Sequence, residues 1–411
     1  MADRRLTAGA GAGERVRPAP LPVAVRIGLI YVAARVITTF FLLIAAELSG
    51  VESRFGTGPG LSDLVLGWDS RWYWIVAEIG YPSELPVTDT GVVAENQWAF
   101  MPVFAYLAKL VGVPFGQWVV GAFLVSFAAG YGASLVLYSL LRDKIGAVAA
   151  LWAVAFFACG PLAALFQVGY AESLHLLWLF LALWCVIRRR YVWLYLLIPL
   201  MGFTRPGVLA FALFLALFGI WRWYTRRREA LGAREIAHIV VLGLFAVAVG
   251  FSWQLIAGRV TGDSGAYLAT ELAWRRNWIP GGAEFFPFEG FLSGSAFWFG
   301  SVWGMTAEVG YVVLAASVVA IAAALIFVPQ VKRLGVEVRL WSASYLVYLL
   351  LVFFPQSSIF RLLVPLSPLW GAFAVPRSTA WRVGVLVACL GAQWWWIYNM
   401  YALGNAIWQI P

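Results

Sequence analysis

The sequence predicts an all-α, polytopic membrane protein. Of its 411 residues, 62% are hydrophobic and only 12% charged, and the mean hydropathy is +0.82. The apolar residues come in long blocks, not periodic stripes. Those observations exclude a set of soluble domains, a disordered chain and a coiled coil. Cys159, Cys185 and Cys389 each lie inside an apolar block, where a thiol is a small hydrophobe, so no disulfide framework or metal set is expected. A net charge of +9 would suit nucleic acid in a soluble chain. In a membrane chain the positions of Lys and Arg matter more than their sum, and no nucleic-acid partner is expected.

Segment 1–22 is rich in Ala, Gly, Arg and Pro and is expected to be a disordered cytoplasmic N-terminus, followed by a single transmembrane domain over 23–411. The first apolar block is too long for a removed signal peptide and is expected to stay. Spans are read near 23–48, 117–141, 145–168, 171–187, 235–257, 302–328, 340–355, 358–376 and 383–404. The block 191–221 is too long for one span and is broken by Gly202 and Thr204-Arg205-Pro206, so it is read as two short helices. A crossing takes about 20 apolar residues, which makes the total about eleven.

Basic clusters set the orientation. Arg4/Arg5/Arg15/Arg17, Arg142/Lys144, Arg188 to Arg190, Arg222/Arg226 to Arg228/Arg234, Lys332/Arg333/Arg339 and Arg377/Arg382 all fall on one side, the cytoplasmic one. The opposite side receives two long loops, about 49–116 and 258–301, and most of the acids, Asp69, Glu78, Glu172, Glu271 and Glu289 among them. Any chemistry is expected there. A further span at 99–113 would move the Arg triplets outside, so that stretch is read as an interfacial or re-entrant helix. Arg greatly outnumbers Lys, and a bacterial plasma membrane is the expected location.

The stretch from Gly67 to Pro82 is the most informative. Trp68, Trp72, Ile75 and Ile79 recur at helical spacing, which fits an amphipathic helix at headgroup depth. A Trp-rich anchor explains the aromatics, but not Asp69, an acid among three tryptophans beside Arg71. A carboxylate there needs a partner or a substrate.

These residues carry a resemblance. Trp68-Asp69, Trp72-Tyr73, Ile75, Ala77 and Gly80-Tyr81-Pro82 resemble the first-loop motif of the PIG-V-type mannosyltransferases, relatives of the enzyme that adds the second mannose in GPI-anchor assembly. Four later segments agree in order: Trp98 to Phe104 with the family's aromatic-proline stretch, Tyr170-Ala171-Glu172-Ser173 with its Tyr-x-Glu-Ser segment, Thr204-Arg205-Pro206 with its Thr-Arg-Pro break, and Arg361 to Pro368 with its Arg-x-x-x-Pro-x-x-Pro segment. Together they span about 70–370. Met101, where an aromatic is commoner, and Val168-Gly169 before Tyr170 depart from the pattern. The resemblance implies a GT-C-like bundle and an integral membrane glycosyltransferase using a polyprenyl-phosphate sugar, here polyprenyl-phosphate-mannose, on the exofacial side. A lipid or lipoglycan acceptor and surrounding membrane lipids are the implied partners, with no cofactor beyond the lipid-linked donor.

Within that reading Asp69 is the candidate general base of an inverting transfer. Arg205 and Arg361, set in apolar sequence, and Arg71 are candidates for the donor phosphate. For the arginines the alternative is a structural pair with an acid such as Glu172, and for Arg71 a pair with Asp69. Trp68, Trp72, Tyr73, Tyr170, Glu172, Trp274 and Arg275 are candidate substrate-binding residues, although membrane anchoring explains the second-loop aromatics equally well. Glu172 and His175 share a helix face, too few ligands for a catalytic metal; Glu172 also suits a helix N-terminus, and His175 a satisfied core position. Glu78 is read as a surface acid and His238 as remote. Three alternatives stay open: another sugar on the same fold, a polyprenyl-lipid transporter or flippase, and a scaffold without catalysis. A transporter calls for paired broken helices, and the Thr204-Arg205-Pro206 break has no counterpart in a second half.

Overall fold

The structure is a computed structural model that describes residues 21–276, 284–405, 409 and 411. The N-terminal tail to Pro20, and the Asn277-Trp278 and Gly281-Gly282 positions of the second loop, lie outside the described residues. Everything else is helical apart from loops and a single bridge between Val87 and Val93.

Among the described residues five helices are long and apolar enough to cross a membrane: Val23–Glu47, Trp118–Ile145, Val208–Thr225, Ala233–Thr261 and Ala307–Phe327. Shorter apolar helices occupy Pro102–Phe115, Ala147–Ala158, Glu172–Ile187 and Tyr191–Gly202. Trp118–Ile145 packs along Glu172–Ile187 and also holds the short helix Pro102–Gly112. That last contact is close: a Cβ at Gly121 would lie 2.0 Å from the carbonyl of Ala108, so only glycine lets the two backbones meet. Val208–Thr225 packs between Ala233–Thr261 and Val336–Val352.

Two expected spans are not continuous helices. In 145–168, the helix Ala147–Ala158 stops at Cys159, ahead of Gly160-Pro161, where proline lacks the N–H and cannot continue the ladder. The freed carbonyls of Ala158 and Ala163 accept hydrogen bonds from buried Arg35. In 358–376, Pro365 and Pro368 divide the chain into Ile359–Leu362, a tighter turn Val364–Leu369 and Trp370–Ala374. Irregular backbone at this depth is tolerated where protein, not lipid, surrounds it. The block 191–221 divides as its sequence implies, into Leu194–Gly202 and Val208–Thr225, with Thr204-Arg205-Pro206 in the gap.

The breaks position the site. Glu172 opens Glu172–Ile187, Arg205 precedes Val208–Thr225, and both helices run away from it to Arg188 to Arg190 and Arg222. The irregular ends therefore gather at one end of the bundle, with these basic clusters at the other.

Candidate functional site

The first-loop motif folds as the helix Asp69–Ile79. Trp68, just before it, has φ of 55°, a left-handed conformation that costs a non-glycine residue free energy and persists only where its surroundings enforce it. They do so here: the Trp68 indole N–H donates to the Met400 carbonyl at 3.1 Å, and the Arg54 guanidinium lies 4.1 Å from the ring centroid. Trp68 is a buried clamp that sets Asp69 at the first helical position. Because Trp68 lies outside the helix, it takes no part in the helical phase. The face turned to the protein is Ser70, Tyr73, Val76 and Ala77, while Trp72 and Ile75 are half-buried and Ile79 is 75% exposed.

Ser70 fixes what lies beside Asp69. A Cβ at Gly169 would fall 2.0 Å from the Ser70 hydroxyl, and the Gly169 N–H donates to the Val65 carbonyl at 3.0 Å. The start of the first-loop helix is thus pressed against Gly169-Tyr170-Ala171, and Glu172 follows.

Four charges from four separate segments meet here. Arg361 donates to Asp69; its Nε lies 3.4 Å from Glu172 Oε1. Arg205 Nη1 donates to the same Glu172 oxygen at 2.6 Å. The side chains of Glu172, Arg361 and Arg205 are 4%, 10% and 14% exposed and that of Asp69 21%, so Asp69 is the member most open to an incoming molecule. Two acids and two guanidinium groups leave the cluster formally neutral, which a buried charge requires. Glu172, Arg205 and Arg361 line a cavity of about 10 Å³ with His175, Tyr345 and Pro365. His175 Nδ1 and Glu172 Oε2 are buried without a hydrogen-bond partner among the described residues. Tyr170 is fully buried, with the Arg361 guanidinium 5.4 Å from its ring centroid. Among the described residues no three His, Cys, Asp or Glu side chains gather as a metal's ligand set.

The remaining candidates divide. Trp72 stacks on Phe100 at 5.7 Å and meets Trp274 edge-on at 5.5 Å, forming one aromatic wall. Tyr73 packs between Phe100 and Phe104, each 5.2 Å away, and supports that wall from behind. Arg275 turns away, donating to Glu289 and, at 3.1 Å, to the Ser293 hydroxyl, which ties the helix Ala266–Arg276 to Glu289–Ala296. Arg71 is exposed and is not paired with Asp69, because residues two apart on a helix do not face each other; it stands outside the charged cluster. Glu78 pairs with Lys109 at 3.2 Å, both half-exposed, in keeping with a surface acid.

The structure adds residues that sequence reasoning passed over. Tyr345 donates to the Leu362 carbonyl at 2.7 Å and lines the cavity. Glu271 sits in the second loop with Tyr267 and within electrostatic reach of Arg205 and Asp69. An acid in a polar loop gives no signal of this in sequence.

No known family model matches the chain, and no curated protein matches it. Among solved structures, the archaeal oligosaccharyltransferase AglB from Archaeoglobus fulgidus, in complex with an inhibitory peptide and a dolichol-phosphate, is similar with a TM-score of 0.43 and 13% identity, over 90% of this chain and 56% of its own. ArnT from Cupriavidus metallidurans, bound to undecaprenyl phosphate, is similar with a TM-score of 0.46 and 15% identity, over 89% of this chain and 63% of its own. The chain therefore spans less than two thirds of the length of either structure. At such scores the likeness is a loose one of helix layout and says nothing of activity.

Proposed function

We propose that this protein is a GT-C-type membrane glycosyltransferase that moves a sugar, mannose by motif resemblance, from a polyprenyl-phosphate donor to a lipid or lipoglycan acceptor at the end of the bundle remote from its basic clusters. One observation carries the reading. Four of the five segments that resemble the PIG-V-type enzymes contribute one charge each to the same cluster: Asp69, Glu172, Arg205 and Arg361. Segments so far apart in sequence have no packing reason to bring their charges together in a bundle this apolar, where each buried charge costs free energy.

The chemistry follows from the pairing. The cavity beside the cluster is too small for a phosphate, so a donor phosphate must compete for the guanidinium groups instead of filling a void. Arg361 and Arg205 suit bidentate phosphate binding. As the phosphate takes Arg361, Asp69 loses its partner and becomes a free carboxylate at the reaction centre. The acceptor oxygen then attacks the anomeric carbon and its proton passes to Asp69; the bond from that carbon to the phosphate oxygen breaks, and the polyprenyl phosphate leaves with its charge held by Arg205 and Arg361. One carboxylate and no covalent intermediate give inversion. Glu172 holds both arginines in place and acts as a positioning residue.

Transfer from polyprenyl-phosphate-[¹⁴C]mannose to a total membrane lipid extract, comparing wild type with Asp69→Asn, tests the assignment. Label in a lipid product that depends on Asp69 supports donor, class and base together. Full activity in Asp69→Asn removes the base, and no label with bound donor shifts the reading to another sugar or to lipid transport.

A further inference from the structure

We propose that the helix Ala266–Arg276 carries an acceptor subsite, in which Glu271, with Tyr267 and Trp274 on the same helix face, binds the hydroxyls and one face of a pyranose ring; this rests on the glycosyl-transfer reading of the adjoining cluster.

Tyr267, Glu271 and Trp274 are spaced i, i+4, i+7 and form one stripe. The neighbouring stripe, Ala266, Thr270 and Ala273, is buried and fastened: Asn96 Nδ2 donates to the Thr270 hydroxyl at 2.9 Å. That anchor fixes where the first stripe points. At one end Tyr267 packs into the cluster containing Phe203, next to the Thr204-Arg205-Pro206 break. At the other, Trp274 meets Trp72 at 5.5 Å and Phe100 at 5.9 Å. Glu271 lies between, with the Tyr267 phenol one turn back on the same face and Arg205 and Asp69 within electrostatic reach. Tyr348 closes the far side, within electrostatic reach of Glu271 and beside Gly207.

The donor and acceptor inventory favours a polyol. Glu271 is half-buried and has no salt bridge among the described residues, so a carboxylate with one phenol beside it keeps lone pairs for two hydroxyls. The Trp274 indole N–H is buried without a partner among the described residues, and a sugar oxygen would satisfy it. Trp274, set edge-on to Trp72 and Phe100, brings aromatic surface beside Glu271 on which the C–H face of a sugar ring can stack. A structural carboxylate would instead be matched to a guanidinium group, as Glu172 and Glu289 are. The acceptor side is favoured because this helix is not among those long and apolar enough to cross a membrane, while Arg205 and Arg361, assigned to the donor phosphate, lie outside its stripe. Burial raises the Glu271 carboxyl to about 7, against the Tyr267 phenol and Arg205, which lower it, and with Asp69, which raises it. Sugar binding should therefore change between pH 6 and 8, with Tyr267, Tyr348, Arg205 and Asp69 the ionisable groups around the carboxyl.

Saturation-transfer NMR on the full chain, in a detergent without a sugar headgroup, with methyl α-mannopyranoside, methyl α-glucopyranoside and glycerol as probes, tests this. A pyranoside signal in wild type, at least five-fold weaker in Glu271→Ala and Trp274→Ala and absent for glycerol, supports the subsite. The isosteric Glu271→Gln, which keeps the fold if Glu271→Ala does not, should retain binding but lose its pH dependence. No pyranoside signal in wild type, or an equal signal in Glu271→Ala and Glu271→Gln at all pH values, overturns it. Because this readout needs no turnover, sugar binding with no glycosyl transfer from any polyprenyl-phosphate sugar would sink the transferase reading alone, and transfer without Glu271-dependent binding would sink the subsite alone.

Discussion

Arg361 and Asp69 lie 292 positions apart in sequence and form an ion pair, so the proposed base is held by the very group proposed to receive the donor phosphate. An unliganded site is thereby neutral and closed. Donor binding separates the pair, which couples arrival of the phosphate to release of the base.

Asp69→Asn keeps the size of the side chain and removes the base. Transfer should fall by about 10²- to 10⁴-fold, the usual contribution of general base catalysis. Donor affinity should hold or rise, since the phosphate no longer displaces a carboxylate from Arg361. Weaker donor binding in this variant, measured with a fluorescent polyprenyl phosphate, would contradict the exchange.

Arg71→Ala serves as the contrast. Its side chain is exposed and outside the cluster, so transfer should stay within about two-fold of wild type, as for surface substitutions generally. A donor KM raised ten-fold would return Arg71 to the phosphate site.

The difference between these two residues shows what sequence conveys here. Asp69, Arg205 and Arg361 announce themselves because a charge in apolar sequence is costly and needs a purpose. The pairing of Arg361 with Asp69 is invisible, since it depends on where the fold brings two distant segments together, whereas a pair of either arginine with Glu172 is an alternative the sequence already offers. Arg71 misleads because adjacency in sequence is not adjacency on a helix. Trp68 misleads in phase because its positive φ removes it from the helix it precedes. The spans at 145–168 and 358–376 look continuous by hydropathy alone, yet Pro161, Pro365 and Pro368 break them, a local steric fact that a hydropathy window averages away. Glu271 stands in the sequence as one exofacial acid among several, because such an acid is ordinary until the fold brings it within electrostatic reach of Arg205.

Glu172→Gln should destabilise the fold more than its exposure implies. It leaves Arg205 without its carboxylate and deprives Arg361 of one of two, and breaking a buried pair typically costs about 3–5 kcal/mol. Glu172→Gln/Arg205→Gln should recover part of the lost thermal midpoint while transfer stays low, because the phosphate ligand is gone. A midpoint that does not recover would mean that Glu172 acts apart from Arg205.

Gly169→Ala should disable the site without touching a charge. Its Cβ would overlap the Ser70 hydroxyl at 2.0 Å and crowd the Val65 carbonyl at 3.1 Å, pushing the start of the Asp69–Ile79 helix away from Glu172. Shifts of this size cost about 10²-fold in positioned catalysis. Ser70→Gly removes the overlapping atoms, so Gly169→Ala/Ser70→Gly should regain activity relative to Gly169→Ala alone. No rescue would locate the damage in the Val65 contact.

The pH dependence of stability should carry the mark of Glu271. Its carboxyl is raised by burial from 4.5 to about 7 in the folded chain, so the folded state holds this proton more tightly than the unfolded one. The sign follows: the contribution is fully present below about pH 4.5, fades as pH rises, and is lost above about pH 7. Between pH 5 and 8 the thermal midpoint of wild type should therefore decline, and Glu271→Gln, which carries no titrating proton, should decline less. Parallel curves for the two proteins would show that Glu271 is ionised throughout, and that the wall it shares with Trp274 is wetter than its burial implies.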